Sequence, residues 1–163
     1  QNPNTEDERR FQTTVSTDQP LTAYGCAIGA DYRTVKAFII KGNISYNALT
    51  ELAEPVPGFQ SKFNTPRFKL NLGFGNNQLT KKIGFNINWR WQEAFLWEST
   101  FGVAEIPSSF TIDAHVSVHM RKIKSVFKLG GSNLLNSYYT TAYGTAQVGG
   151  LYYLTWTFDE LMN

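Results

Sequence analysis

Ile83, Phe85, Ile87, Trp89 and Trp91 alternate strictly with Gly84, Asn86, Asn88, Arg90 and Gln92. Apolar residues that recur at every second position come together on one surface only in an extended chain. Successive strand side chains point to opposite faces, so the tract has one apolar and one polar face. It is about ten residues long and ends in tryptophan. A tilted strand that crosses a bilayer core has about that length, and aromatic rings sit best where it meets the headgroups.

The pattern recurs along the chain. Seven strands are expected, at about Thr22 to Tyr32, Phe38 to Ala48, Arg67 to Gly75, Ile83 to Gln92, Phe110 to Met120, Ser125 to Leu135 and Leu151 to Phe158. The fifth is as regular as the fourth, with Phe110, Ile112, Ala114, Val116, Val118 and Met120 opposite Thr111, Asp113, His115, Ser117 and His119. The links alternate short and long. Residues near 50 to 62, with Pro55, Pro57 and Gly58, read as a loop, as does Glu93 to Ser109, with Gly102 and Pro107. So does the glycine- and tyrosine-rich stretch at 136 to 149. Short turns on one side and long loops on the other are the asymmetry of a transmembrane β-barrel. On that reading the chain's start and the long loops face outward, and the C-terminus is periplasmic.

The bulk numbers fit this. Of 163 residues, 15% are aromatic and 17% charged, against roughly 25% charged in average soluble domains. Mean hydropathy is slightly negative, because the polar residues of a barrel's inner face dilute the average. No apolar run approaches the roughly 18 residues of a membrane helix, and a net charge of +2 is too small to argue for nucleic acid. The start at Gln1, with no initiator Met or apolar leader, reads as a processed or internal piece. Residues 1–20 read as an external polar arm and 21–163 as barrel wall. Cys26 reads as a small hydrophobe on an apolar face. A soluble antiparallel sandwich also alternates apolar and polar residues, but its strands average five or six residues. A soluble carbohydrate-binding sandwich therefore stands as one alternative, and a structural barrel subunit of an envelope complex as another.

Four segments carry a family resemblance. They are Phe63-Asn64-Thr65-Pro66, Trp89-Arg90-Trp91-Gln92, Leu129-Gly130-Gly131-Ser132-Asn133-Leu134-Leu135-Asn136-Ser137-Tyr138-Tyr139 and Gly149-Gly150-Leu151-Tyr152-Tyr153. They resemble the closing strands of TonB-dependent outer-membrane receptors, with Asn-Leu-x-Asn-x-x-Tyr the most specific. The tail after Phe158 resembles that of the glycan- and peptide-importing branch, which works with a lipoprotein lid. The resemblance covers about residues 20 to 163. It implies the last seven strands of a 22-strand antiparallel barrel, with the plug and the TonB-contacting segment outside this chain. It further implies nutrient import (a glycan, peptide or chelate), with outer-membrane lipid, the rest of the receptor, the TonB complex and a surface lipoprotein lid as partners. An open set of seven strands would leave two unpaired edges in lipid, so the chain reads as part of a larger wall.

The candidate residues follow from their faces. Asn86, Asn88, Arg90, Gln92, Asp113, His115 and His119 are expected to face the lumen. Trp89, Trp91 and Tyr152 are expected at the membrane interface, and Trp97, Tyr138, Tyr139 and Tyr143 in external loops that contact a ligand or partner. The resemblance also assigns Trp156 and Phe158 to the terminal-strand signal read by the insertion machinery. Asp113, His115 and His119 suggest a metal, but residues four apart on one strand lie about 13 Å apart. No nucleophile elbow, zinc motif or phosphate loop is present. Neither an enzyme nor a cofactor is expected.

Overall fold

A computed structural model describes residues 16–50, 52, 54, 56–100 and 102–158; most of the arm expected at 1–20, and the tail after Phe158, lie outside them. The chain is all-β, with no α-helix among the described residues. The described residues form nine strands, β1 (Ala23–Arg33), β2 (Ile39–Leu49), β3 (Phe68–Asn76), β4 (Ile83–Gln92), β5 (Phe95–Ser99), β6 (Gly102–Ile106), β7 (Ser109–Met120), β8 (Ser125–Ser132) and β9 (Leu151–Phe158). Seven form one antiparallel sheet in the order β1-β2-β3-β4-β7-β8-β9, and β5 and β6 form a separate hairpin. The large sheet is open, with β1 and β9 as its edges.

All seven expected strands are present, with every end within one residue of expectation except the end of the sixth. Two expectations are corrected. The stretch 93–109 is not one loop: it holds the β5–β6 hairpin, with Trp97 opposite Ala104. Five-residue strands are too short for the alternation to stand out among the neighbouring Pro and Gly. The sixth strand ends at Ser132 rather than Leu135, because Asn133 turns into the left-handed region at φ 51°.

The register sorts the side chains. Ile87 lies opposite Phe74 and Ala114, while Asn88 lies opposite Gly73 and Asp113. A slip of one residue would exchange the faces, so the alternation itself specifies the register. On the apolar face the Phe38, Phe74 and Phe85 rings pack together, with Phe38 stacked on Phe74 at 5.6 Å. Among the described residues this face has no second layer. Ile106 is the one hydrophobic residue buried among the described residues, whereas Ile28 is 71%, Leu129 66% and Leu154 72% exposed.

The strands are also steeply staggered. One row of paired residues runs Tyr32, Ile40, Phe74, Ile87, Ala114, Gly131 and Tyr152. Tyr32 is nine residues past the start of β1, but Tyr152 only one past the start of the parallel-running β9. The strand starts therefore slip by eight residues (nine less one) over six inter-strand steps. At about 3.3 Å per residue and about 4.8 Å per step, the strands lean by roughly 40°.

The three short turns are tied to one another. Ala37 sits at φ 60° and donates its N–H to Thr34. Asn76, 2% exposed, accepts from the Gln78 N–H at 2.8 Å and donates to the Lys36 carbonyl at 2.9 Å, joining the first turn to the second. The His119 N–H donates to the Lys82 carbonyl at 2.7 Å, joining the second to the third.

Candidate functional site

The polar face is lined by side chains that hydrogen-bond both across strands and along one strand. Asn71 donates to Asn43 at 2.7 Å and Asn88 to Asn86 at 2.6 Å. Lys41 pairs with Asp31 at 3.5 Å, but both side chains are more than half exposed, so the pair contributes little. A trough of about 590 Å³ crosses this face past Asp31, Lys41, Asn43, Asn71, Asn88, Arg90 and Asp113. Amides, one ammonium, one guanidinium and two carboxylates supply donors and acceptors in several directions. They suit a polar surface or ligand.

The most ordered part of the face is a node on Asp113. Arg90 reaches its carboxylate at 2.6 Å. Ser132 Oγ and the Asn133 backbone N–H donate to the same Oδ1 at 2.7 and 2.8 Å. Three strands and a loop entry thus meet at one carboxylate. The register brings this about, since it places Asp113 opposite Asn88, two residues from Arg90 and on the same face.

From the node the Asn-Leu-x-Asn-x-x-Tyr segment winds into the last long loop, and each asparagine has a physical role. Asn133, 2% exposed, adopts φ 51°, donates to the Ser137 carbonyl at 2.8 Å and accepts from its N–H at 3.3 Å. Asn136, at φ 50°, accepts from the Gly150 N–H at 2.7 Å, which pulls the far end of the loop back to β8. Asparagine tolerates the left-handed region and bonds to nearby backbone, so it suits both positions. Tyr139 and Val148 then exchange two backbone hydrogen bonds, at 2.8 and 3.2 Å.

The expected site residues separate into groups. Asn86, Asn88, Arg90, Gln92, Asp113, His115 and His119 share the polar face by register. His115 lies opposite Gly130, where an added Cβ would stand 2.5 Å from the His115 Cβ. His119 lies four residues further along β7, so the two imidazoles do not meet. No three His, Cys, Asp or Glu come together to hold a metal among the described residues. Trp89, Trp91 and Tyr152 lie on the apolar face. Trp91 is opposite Phe110 and Leu70, and the Tyr152 hydroxyl donates to the Leu134 carbonyl at 3.2 Å.

The loop aromatics divide further. Trp97 belongs to β5, not to a loop, and meets Phe95 edge-to-face at 6.4 Å. Tyr138 is 66% exposed. Tyr143 packs on Gly102, where a Cβ would lie 2.9 Å from its ring, so the last loop reaches the hairpin. Sequence reasoning missed the other clasp on this hairpin, made by Glu98. Its carboxylate accepts from Ser61 Oγ and the Lys62 N–H, each at 2.8 Å, and its backbone exchanges two bonds with the Asn64 amide. Asn64, in the segment Phe63-Asn64-Thr65-Pro66, was the available signal.

On the terminal strand, Trp156 stacks parallel on Phe127 at 6.2 Å and donates its indole N–H to Ser125 Oγ at 3.0 Å. Phe158 lies opposite Ser125. Replacing both Trp156 and Phe158 by Ala removes the stack on Phe127, the indole bond to Ser125 and two of the aromatic rings of β9. If the sheet is part of a membrane barrel wall, the heat-modifiable form recovered from cells should fall severalfold; unchanged levels would show that these rings do not matter for assembly.

No protein-family model matches the chain, and no curated protein matches it.

Proposed function

We propose that this chain is the C-terminal wall segment of an outer-membrane TonB-dependent receptor that imports a nutrient such as a glycan, peptide or chelate. The observation that carries this reading is the conjunction of an uncovered apolar face with a strand stagger of eight residues over six steps. The corresponding lean of roughly 40° falls in the range of closed barrels, membrane barrels included. An apolar face that meets no protein layer needs another apolar medium, and lipid supplies one. A carbohydrate-binding sandwich would need a second sheet on that face, and none lies there among the described residues. No helix of the described residues is long and apolar enough to cross a membrane, so strands would do the crossing.

On this reading the polar face lines the lumen, the trough past Arg90 and Asp113 faces a plug or the passing nutrient, and the three long loops lie outside the cell. The edges β1 and β9 pair with strands of the same receptor that lie outside this chain. The resemblance of the Asn133–Tyr139 segment to the family's penultimate-strand motif supports the assignment. The TonB complex and a surface lipoprotein lid would engage parts of the receptor beyond this segment.

The test combines two measurements on the polypeptide that carries this sequence. Its denatured mass should be several times 18.4 kDa, and it should stay with the outer membrane through a carbonate wash and run faster on gels before heating than after. A mass near 18.4 kDa with release by carbonate would overturn the proposal.

A further inference from the structure

The two ends of the sheet differ in charge. Among the described residues, the short-turn end carries Arg33, Lys36, Lys81, Lys82, Arg121, Lys122 and Lys124, and its turns carry no acidic residue. The long-loop end carries Asp18, Glu54, Glu93, Glu98 and Glu105 against Lys62 and Arg67. Asp159 and Glu160 follow β9 in the sequence and lie outside the described residues.

Four of the cations surround one feature. Lys81 and Lys82 from the second turn and Arg121 and Lys122 from the third ring a hollow of about 480 Å³. Val118, Met120 and Ile123 also line it, and Met120 is 46% and Ile123 53% exposed. The His119 N–H to Lys82 carbonyl bond holds the two turns together at this point. The four cations make no ion pair among the described residues. Like charges gathered around one hollow repel one another, and an anion among them relieves that repulsion. Val118 and Met120 belong to the same face as Val116 and Ile112, which continues uncovered along β7.

We propose that this hollow binds the headgroup of an anionic phospholipid, a glycerophosphate diester such as phosphatidylglycerol, and rest this on the barrel-wall reading above. The lysines and arginine would meet the phosphate, while Val118, Met120 and Ile123 would meet the glycerol and first acyl carbons. Charge complementarity and the continuity of the apolar lining with the lipid-facing surface select a lipid over a soluble anion. The site would lie in the inner leaflet, where the short turns emerge.

The experiment is native mass spectrometry of the full polypeptide carrying this sequence. The protein is taken from vesicles of equal phosphatidylglycerol and phosphatidylcholine into uncharged detergent. The expected result is retention of phosphatidylglycerol over phosphatidylcholine by about tenfold, as expected for several cations near one anionic headgroup. The preference should fall as sodium chloride is raised and approach parity in the Lys81→Gln, Lys82→Gln, Arg121→Gln, Lys122→Gln variant. The Lys62→Gln, Arg67→Gln variant, altered at the other end, should keep it.

Equal retention of the two lipids by the unaltered protein, or a preference that survives high salt or the fourfold change, would overturn the proposal. Because salt acts on the unaltered protein, the salt series decides even where the fourfold variant does not assemble. A carbonate wash of the same vesicles separates the two readings. Protein that stays in the membrane without lipid preference overturns this inference alone. Protein released by carbonate overturns the barrel-wall reading and this inference together.

Discussion

Leu129→Lys is expected to be among the most damaging single changes in the sheet, although Leu129 is 66% exposed. In a soluble protein an exposed leucine exchanged for lysine changes stability by about 0.5 kcal/mol or less. Leu129 lies on the apolar face of β8, opposite Val116 and Leu154, which are 47% and 72% exposed. If lipid covers that face, the ammonium must leave water for hydrocarbon or bend toward the headgroups. That costs roughly 2–4 kcal/mol near the midplane of a β-barrel. Thr157→Lys, on the polar face of β9 opposite Val126, should stay within about 0.5 kcal/mol. Urea unfolding of the full polypeptide reconstituted with lipid vesicles, followed by tryptophan fluorescence, reads both. Equal midpoints for the two variants would mean that the apolar face is not in hydrocarbon, and the wall reading would fail.

Asp113→Ala should have the second large effect, by another route. It removes the shared acceptor of Arg90, Ser132 and the Asn133 N–H. Asp113 is 23% and Arg90 48% exposed at the side chain, so water relieves part of the loss for the guanidinium. The Asn133 N–H is less easily satisfied, because Asn133 is 2% exposed. A charge-assisted bond contributes about 1.5–3 kcal/mol and an orphaned buried donor costs about 1–3 kcal/mol, so a total of about 2–4 kcal/mol is expected after discounting the exposed ion pair. Asp113→Asn keeps an acceptor for Ser132 or Asn133 and loses the charge, so it should recover about half. Limited proteolysis in the 133–150 loop should accelerate with the same ranking, because that loop is anchored at Asn133. If Asp113→Ala unfolds like the unaltered protein and its loop is no more sensitive to cleavage, the node is not a stabilising anchor.

Much of the architecture was legible because a two-residue period sustained over about ten residues admits one solution. Ile83 to Gln92 and Phe110 to Met120 read as strands without help from any neighbour. The faces of Asn86, Arg90, Asp113 and His115 followed from the same count. Where the run was short the signal failed: Phe95, Trp97 and Ser99 make too brief an alternation to separate β5 from a loop.

Strand length, face and order along the chain were determined by the sequence itself, because they depend on the local alternation of side chains and on turn residues within a few positions. The Asp113 node, the Glu98 clasp and the ring of four cations were decided only in the tertiary structure. Each depends on the offset between strands or turns distant in sequence. The β4–β7 register places Asp113 opposite Asn88 and so diagonally across from Arg90, 23 positions earlier in the chain, and the His119–Lys82 bond brings two basic turns together. The strand lean has the same origin, since it accumulates from six successive pairings, none of which the alternation along a single strand can express.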